Sequence, residues 1–284
     1  VGGVGVGAGT THHTPEDAVK LLTLARDLQR RKARERQQLF VAEGVRTVES
    51  LLASGLAVQG LLLADDAQVN ERVRAVLDMC DARRIAVATV SARELQEAAD
   101  TESPQGVLAI APIPSWEMPA PPFADGTRFL VLDALQDPGN VGTVVRTAAA
   151  MGVRATFALP GTVDVWNAKV VRGSMGALFT HPVYLLDWTT VAGFMAQHDV
   201  TLWAADMDGT PLPELAVHEV VAPQALVVSN EGAGLTPAVA ASVQRTVAVP
   251  MAPGVESLNV GVATGILLYA MAFRGGRSGY PAAG

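Results

Sequence analysis

The sequence predicts an α/β fold: a C-terminal, mostly parallel sheet with helices on both faces, preceded by a smaller α/β/α unit. Three observations predict it. Apolar strand-like runs alternate with helical patterns over most of the 284 residues. The stretch PIPSWEMPAPPFADG at 112–126 has five prolines between Pro112 and Pro122 and no period, so it reads as a semi-rigid linker between two units. In the C-terminal half, three apolar runs break into Gly- or Pro-containing loops: DPGNVGTVVRTAAAMG at 137–152, LVVSNEGAGL at 226–235 and VAVPMAPGVESLNVGVATGILLY at 247–269. Loops of this kind, reopening as helix, make a ligand site.

Residues 1–14 are Gly/Val/Thr/His without period and read as a flexible tail, as do residues 276–284. Between them the expected domains are 15–112 and 127–275, joined by the linker at 113–126. Within the first, the pattern predicts a helix over 15–36, a strand at FVAEG and helices at 46–54, 69–83 and 92–99. Strands are expected at 59–63 and 85–90 and at the end of TESPQGVLAIA. From Arg128 onward the strands are FLVLDAL, ATFALP, PVYLL, TLWAAD, ALVVSN and RTVAVP, followed by a helix from about Leu258 to Phe273.

Composition excludes several classes. No apolar run reaches the roughly 18 to 20 residues of a membrane span, and the start lacks the basic and apolar regions of a secretory signal. The sole cysteine, Cys80, cannot form an internal disulfide, which suits a reducing cytoplasm. Five scattered histidines offer no metal spacing, so no metal is expected. Net charge is −7, yet Lys20 to Arg36 carries seven cations against Asp27 and Glu35, a local +5. That segment is a candidate phosphate-binding stripe through Arg30, Arg31 and Arg34, or else the solvated face of an amphipathic helix.

In order and spacing, the three C-terminal loops resemble the signature motifs of the SpoU-type (TrmH-like) RNA 2′-O-ribose methyltransferases of the SPOUT superfamily. FVAEGVRTVESLL at 40–52 and TESPQGVLAI at 101–110 resemble the hallmarks of an L30-like substrate-binding domain that precedes the catalytic domain in many of these enzymes. The resemblance implies a deep trefoil knot, S-adenosylmethionine as cofactor, an RNA substrate with ribosomal (23S) RNA favoured over tRNA, and a homodimer built through the C-terminal domain. It implies Asn140, Arg146, Glu231, Ser257 and Asn259 as catalytic residues. Ser229, Gly232, Val249, Met251 and Leu258 would line the cofactor pocket, and Glu43 would face RNA; RGSMGALF at 172–179 reads separately as a helix or turn on the active face that meets RNA through Arg172. Two positions depart from the family pattern: Ser229 stands where glycine is common, and Gly261 where serine is.

The chemistry explains these residue types. A sulfonium methyl is already a strong electrophile, so the protein must chiefly align it with the hydroxyl and exclude water. Glycines and prolines in the loops let backbone groups approach an adenosine closely. A guanidinium is rarely neutral, so Arg146 would grip a phosphate and lower the hydroxyl pKa by its charge rather than act as a literal base. Read without the resemblance, Asn140 is a turn residue, Ser257 a helix N-cap, and Val249, Met251 and Leu258 core residues. Two rival chemistries fit poorly. Arg172-Gly173-Ser174-Met175-Gly176 matches a hydrolase elbow but follows no evident strand, and Gly139-Asn140-Val141-Gly142 lacks full dinucleotide-loop spacing. The non-enzyme alternative is an RNA-binding relative that does not methylate.

Overall fold

The computed structural model describes residues 15–215, 220, 222–230 and 232–273. They form two compact units: the residues up to Ser115 with Trp166–Phe179, and Trp116–Val165 with the residues from Thr180 on.

The first unit opens with helices α1 (Pro15–Asp27) and α2 (Arg31–Gln37), not the single helix expected over 15–36. The break carries neither Gly nor Pro. At Arg30 the backbone is extended, and the buried Arg34 sends Nη1 to the carbonyls of Leu28 and Gln29, at 2.7 and 2.8 Å, which the end of α1 leaves free. A four-stranded sheet follows, built from β1 (Leu39–Glu43), β2 (Gly60–Ala64), β3 (Val87–Val90) and β4 (Val107–Pro112) in the order β1-β4-β2-β3. Strand β4 is antiparallel to β1 and β2, and β2 is parallel to β3. Helices α3 (Val45–Ala53), α4 (Glu71–Ala82) and α5 (Ala92–Ala98) connect them. Helix α5 starts in a capping box, where Ser91 and Glu94 satisfy each other's backbone amides.

Leu21, Leu28, Leu62, Leu95, Leu108 and Ile110 lie in this unit's core. Trp166–Phe179, which contains α7 (Ala168–Gly173), packs on β1. Phe40 of β1 is fully buried, its ring 4.7 Å from that of Trp166 and 5.7 Å from that of Phe179. Truncating such a phenylalanine costs about 3–5 kcal/mol, so the anchor is strong.

The second unit is a six-stranded, wholly parallel sheet ordered β10-β8-β9-β5-β6-β7. Its strands are β5 (Arg128–Asp133), β6 (Ala155–Ala158), β7 (Val183–Leu185), β8 (Thr201–Pro211), β9 (Gln224–Ser229) and β10 (Arg245–Ala248). Central strand β5 is buried along its whole length, as a strand covered on both faces must be. The helices are α6 (Pro138–Ala150), α8 (Trp188–Gln197), α9 (Pro237–Ala240) and α10 (Val260–Phe273), with α6 and α10 packed together. Phe123 belongs to the proline-rich stretch and packs its ring 5.1 Å from Phe129, so the end of that stretch joins this core. Arg128 is buried, with Nη2 donating to the carbonyls of Val220 and Met271, at 3.0 and 2.7 Å, and burial lowers its pKa.

Candidate functional site

The site lies in the second unit, at the C-terminal ends of β8, β9 and β10, where loops leave a parallel sheet. Each loop is folded by local hydrogen bonds. Behind β5, Asp137 caps α6 by accepting from the Asn140 amide at 2.7 Å, and Pro138 occupies a first-turn position that needs no amide. Behind β9, Asn230 closes a tight turn: its Oδ1 accepts from the Gly232 amide at 2.9 Å and its carbonyl from the Gly234 amide at 2.9 Å. Gly234 takes φ +68°, a left-handed value that suits glycine. The buried Asp133, at the end of β5, accepts from the Thr236 amide at 2.7 Å and so ties this loop to the central strand.

Behind β10, Asn259 starts α10. Its Oδ1 accepts from the amides of Gly261 and Val262, at 2.9 and 3.4 Å, while Nδ2 donates to Asn140 Oδ1 at 2.9 Å. One asparagine therefore caps its own helix and grips the start of α6, joining the first and third loop motifs. The cap is Asn259 and not Ser257. At Gly261 a Cβ would lie 3.1 Å from both Thr143 Cγ2 and Asn259 Oδ1, so a side chain there requires Thr143 to yield.

Between the loops is a cavity of about 240 Å³. Of the expected residues, Ser229, Val249, Met251, Ser257 and Leu258 line it; Gly232, Asn140, Arg146 and Asn259 do not. Its other walls include Val228, Val247, Val260 and Leu267, with Asn230 and Thr264 polar. Three lining residues, Ala205, Asp206 and Met207, were not singled out from the sequence, because nothing in TLWAADMDGTP marks where its strand leaves the ladder. Arg146 is exposed on α6, and no described side chain pairs with it. Glu231 lies outside the described residues.

The expected RNA-facing residues all lie in the first unit, and three of them, Arg34, Glu43 and Arg172, are engaged in internal bonds. Arg34 is buried and spends its guanidinium on the carbonyls that close α1, so it cannot meet a phosphate. Glu43 is also buried: it accepts from Thr101 Oγ1 and from the Asp100 amide at 3.0 Å, and it pairs with Arg172 at 2.9 Å. Arg172 forks between Glu43 and Asp100, each at 2.9 Å, so these charges fasten α7 to the sheet. Arg30 pairs with the half-buried Asp27, and Arg31 with Glu35 at 2.7 Å; both guanidinium groups are exposed. Ser174 of the elbow-like pattern is fully buried and bonded to the Val171 carbonyl at 2.8 Å, the reverse of a presented nucleophile. Among the described residues no group of His, Cys, Asp or Glu could hold a metal ion, and no helix is long and apolar enough to cross a membrane.

A parallel α/β unit whose strand-end loops are cross-braced around a small, mainly apolar cavity is the class this geometry defines. Residues 127–269 match the SpoU rRNA methylase family, and residues 19–109 match the MRM3-like substrate-binding domain. The chain belongs to the SpoU rRNA methylase family. It is 31% identical over 243 residues to the 23S rRNA (guanosine(2553)-2′-O)-methyltransferase RlmP of Bacillus subtilis, covering 85% of this chain and 92% of that protein. It is 28% identical to the 23S rRNA (uridine(2479)-2′-O)-methyltransferase of Streptomyces viridochromogenes, with 84% of each covered. The crystal structure of an AdoMet-bound rRNA methyltransferase from Sinorhizobium meliloti superimposes with a TM-score of 0.76 at 26% identity, covering 89% of this chain and 94% of that one.

Proposed function

We propose that this protein transfers the methyl group of S-adenosylmethionine to a ribose 2′-hydroxyl of ribosomal RNA, with 23S RNA the first candidate. The observation that carries the reading is the cavity bounded by the second and third loop motifs, with the Asn140–Asn259 bond holding the first motif to the third. Support comes also from the family match and from relatives named for 2′-O-methylation of 23S rRNA. The cavity fits the adenosine portion of the cofactor. At about 240 Å³ it sits just under the size at which small-ligand pockets begin, and its walls are mainly apolar with a few polar groups.

Ser229, Val249, Met251 and Leu258 would hold the cofactor, which supplies a methyl group on a positively charged sulfur. Arg146 would grip the phosphate beside the target ribose, and its charge would stabilise the oxyanion forming at the 2′-oxygen while solvent removes the proton. Asn140 and Asn259 would keep α6, and with it Arg146, in register with the cavity. Glu231 and Ser257 are assigned to orienting the loops.

The reading extends to assembly and substrate capture. Val262, Ile266, Tyr269 and Phe273 are exposed at intervals of four, three and four residues on α10, an apolar stripe that supports a homodimer through this helix. Support for an L30-like RNA-binding role of the first unit comes from its family match and from a polar cleft of about 610 Å³ whose lining includes Arg46, Gln68, Gln96 and Gln105. The trefoil knot belongs to the same proposal, supported by the family match and by the return of the chain after β10 to bond Asn140. Mass mapping of ribose methyl groups in RNA from cells with and without the gene tests the activity. Loss of one 2′-O-methyl from 23S RNA is expected, and an unchanged rRNA map with a changed tRNA map would reassign the substrate.

A further inference from the structure

Strand β8 pairs with β10 in two separate stretches. Trp203 and Ala204 face Arg245 and Thr246, while Thr210 and Pro211 face Val247 and Ala248, so Ala205–Gly209 is looped out of the ladder. A bulge of this kind re-aims side chains. Its base is fixed at Gly209, where a Cβ would lie 2.6 Å from the Val247 nitrogen, nearer than any side chain tolerates. Ala205, Asp206 and Met207 are thereby delivered to the cavity wall. Asp206 is the one ionisable group among the described lining residues, and it stands on the exposed side. Its Oδ1 accepts from the Asp208 amide at 2.9 Å, which orients the carboxylate, and no described group pairs with Oδ2.

We infer that Asp206 is a cofactor-binding residue of the cavity, accepting hydrogen bonds from the ribose hydroxyls of the bound adenosine; the inference rests on the cofactor reading above. A carboxylate only accepts, so among the parts of S-adenosylmethionine its partner is the hydroxyl pair, a cation or the adenine 6-amino group. That amino group stands between the ring acceptors N1 and N7, one of which would face and repel the second carboxylate oxygen. A carboxylate beside the sulfonium would stabilise the charge that methyl transfer removes, favouring the reactant over the transition state and opposing the reaction. The ribose hydroxyls carry no such penalty, and two adjacent donors match a carboxylate held by one oxygen with the other open. The remaining polar lining residues, Ser229, Asn230, Ser257 and Thr264, both donate and accept and suit the mixed edge of adenine instead.

Calorimetry with three probes on the full chain tests this: S-adenosylhomocysteine, 5′-methylthioadenosine and its 2′,3′-dideoxy counterpart. Methylthioadenosine lacks the amino-acid end, so contact with the ammonium cannot contribute. In the wild type, removal of both hydroxyls should weaken binding by about tenfold, as expected for hydrogen bonds to a charged group. In Asp206→Ala that penalty should vanish. Asp206→Asn, which retains an acceptor for the Asp208 amide, should show most of the loss and guards against a collapsed bulge. An equal hydroxyl penalty in wild type and both variants overturns the inference while leaving the cofactor reading intact. Failure of the wild type to bind S-adenosylhomocysteine overturns the cofactor reading and the inference with it.

Discussion

The arginines of α1 and α2 and the arginine of α6 stand in opposite circumstances. In α1 and α2 they are numerous and engaged: Arg26 with Glu97, Arg30 and Arg36 with Asp27, Arg31 with Glu35, and Arg34 with two carbonyls beneath the surface. In α6 a single arginine, Arg146, is exposed, and no described side chain pairs with it. A charge counted along a sequence is therefore not a charge free to bind. The +5 stripe is mostly a set of surface pairs, each worth little to stability, around one buried staple.

The largest expected effect breaks this comparison from the side of Arg146. Arg146→Ala should slow methyl transfer by about 100- to 1,000-fold, as removal of a single oxyanion-stabilising donor does, and leave S-adenosylhomocysteine affinity within twofold. Single-turnover kinetics with calorimetry on the same variant would read both. Near-normal turnover would reduce the unpaired arginine to a surface charge.

Any pH dependence of that activity must be separated from folding, and His181 sets the boundary. It is buried in the second unit, bonded to Thr156 Oγ1 at 2.8 Å, and burial pushes its pKa down from 6.5 to about 4. Below pH 6.5 the unfolded chain takes up a proton that the folded chain refuses, so stability present above 6.5 is lost as pH falls towards 4. The loss is on the order of 3 kcal/mol and levels off below the folded pKa. Urea unfolding across this range should show the slope, and His181→Gln should remove it. An unchanged slope in that variant would assign the proton elsewhere.

Much of the architecture was legible in the sequence because its signals are local. Alternating apolar runs marked the strands, and glycines and prolines marked the loops that surround the cavity. What stayed hidden depends on side chains meeting across distance. The break between α1 and α2 has no Gly or Pro and is held by Arg34 reaching back, so the pattern runs through it as one helix. The bulge Ala205–Gly209 shows only as a lengthened strand, although Gly209 is required by the close approach of β10. Glu43 and Arg172 lie 129 positions apart, and their pairing turned two expected RNA contacts into a fastening within the first unit. Asn140 and Asn259, 119 apart, were singled out through the family motifs, but their mutual bond was not.

Substitution within α2 sharpens the distinction between staple and surface. Arg34→Ala leaves two carbonyls at the end of α1 without their donor and should cost about 2 kcal/mol in denaturant unfolding. Arg30→Ala and Arg31→Ala remove exposed pairs and should stay within about 0.5 kcal/mol. A similar cost at all three would mean that α2 depends on its charges collectively.

The smallest expected effect asks which cations of the first unit meet RNA at all. Arg46 lines the polar cleft at the start of α3, is exposed, and has no side-chain partner among the described residues. Arg30 and Arg31 must first release Asp27 and Glu35, and that exchange of one anion for another returns little counterion-driven gain. Arg46→Ala should therefore lower the slope of log affinity against log salt by a full phosphate contact, roughly 0.7 to 0.9. Arg30→Ala with Arg31→Ala should together lower it by less than one such contact, with S-adenosylhomocysteine binding unchanged in both proteins as the internal control. Equilibrium RNA binding over a salt series gives both slopes. If the double variant loses two full contacts while Arg46→Ala loses none, the pairing seen on α2 is no obstacle to phosphate, and the stripe rather than the cleft is the RNA face.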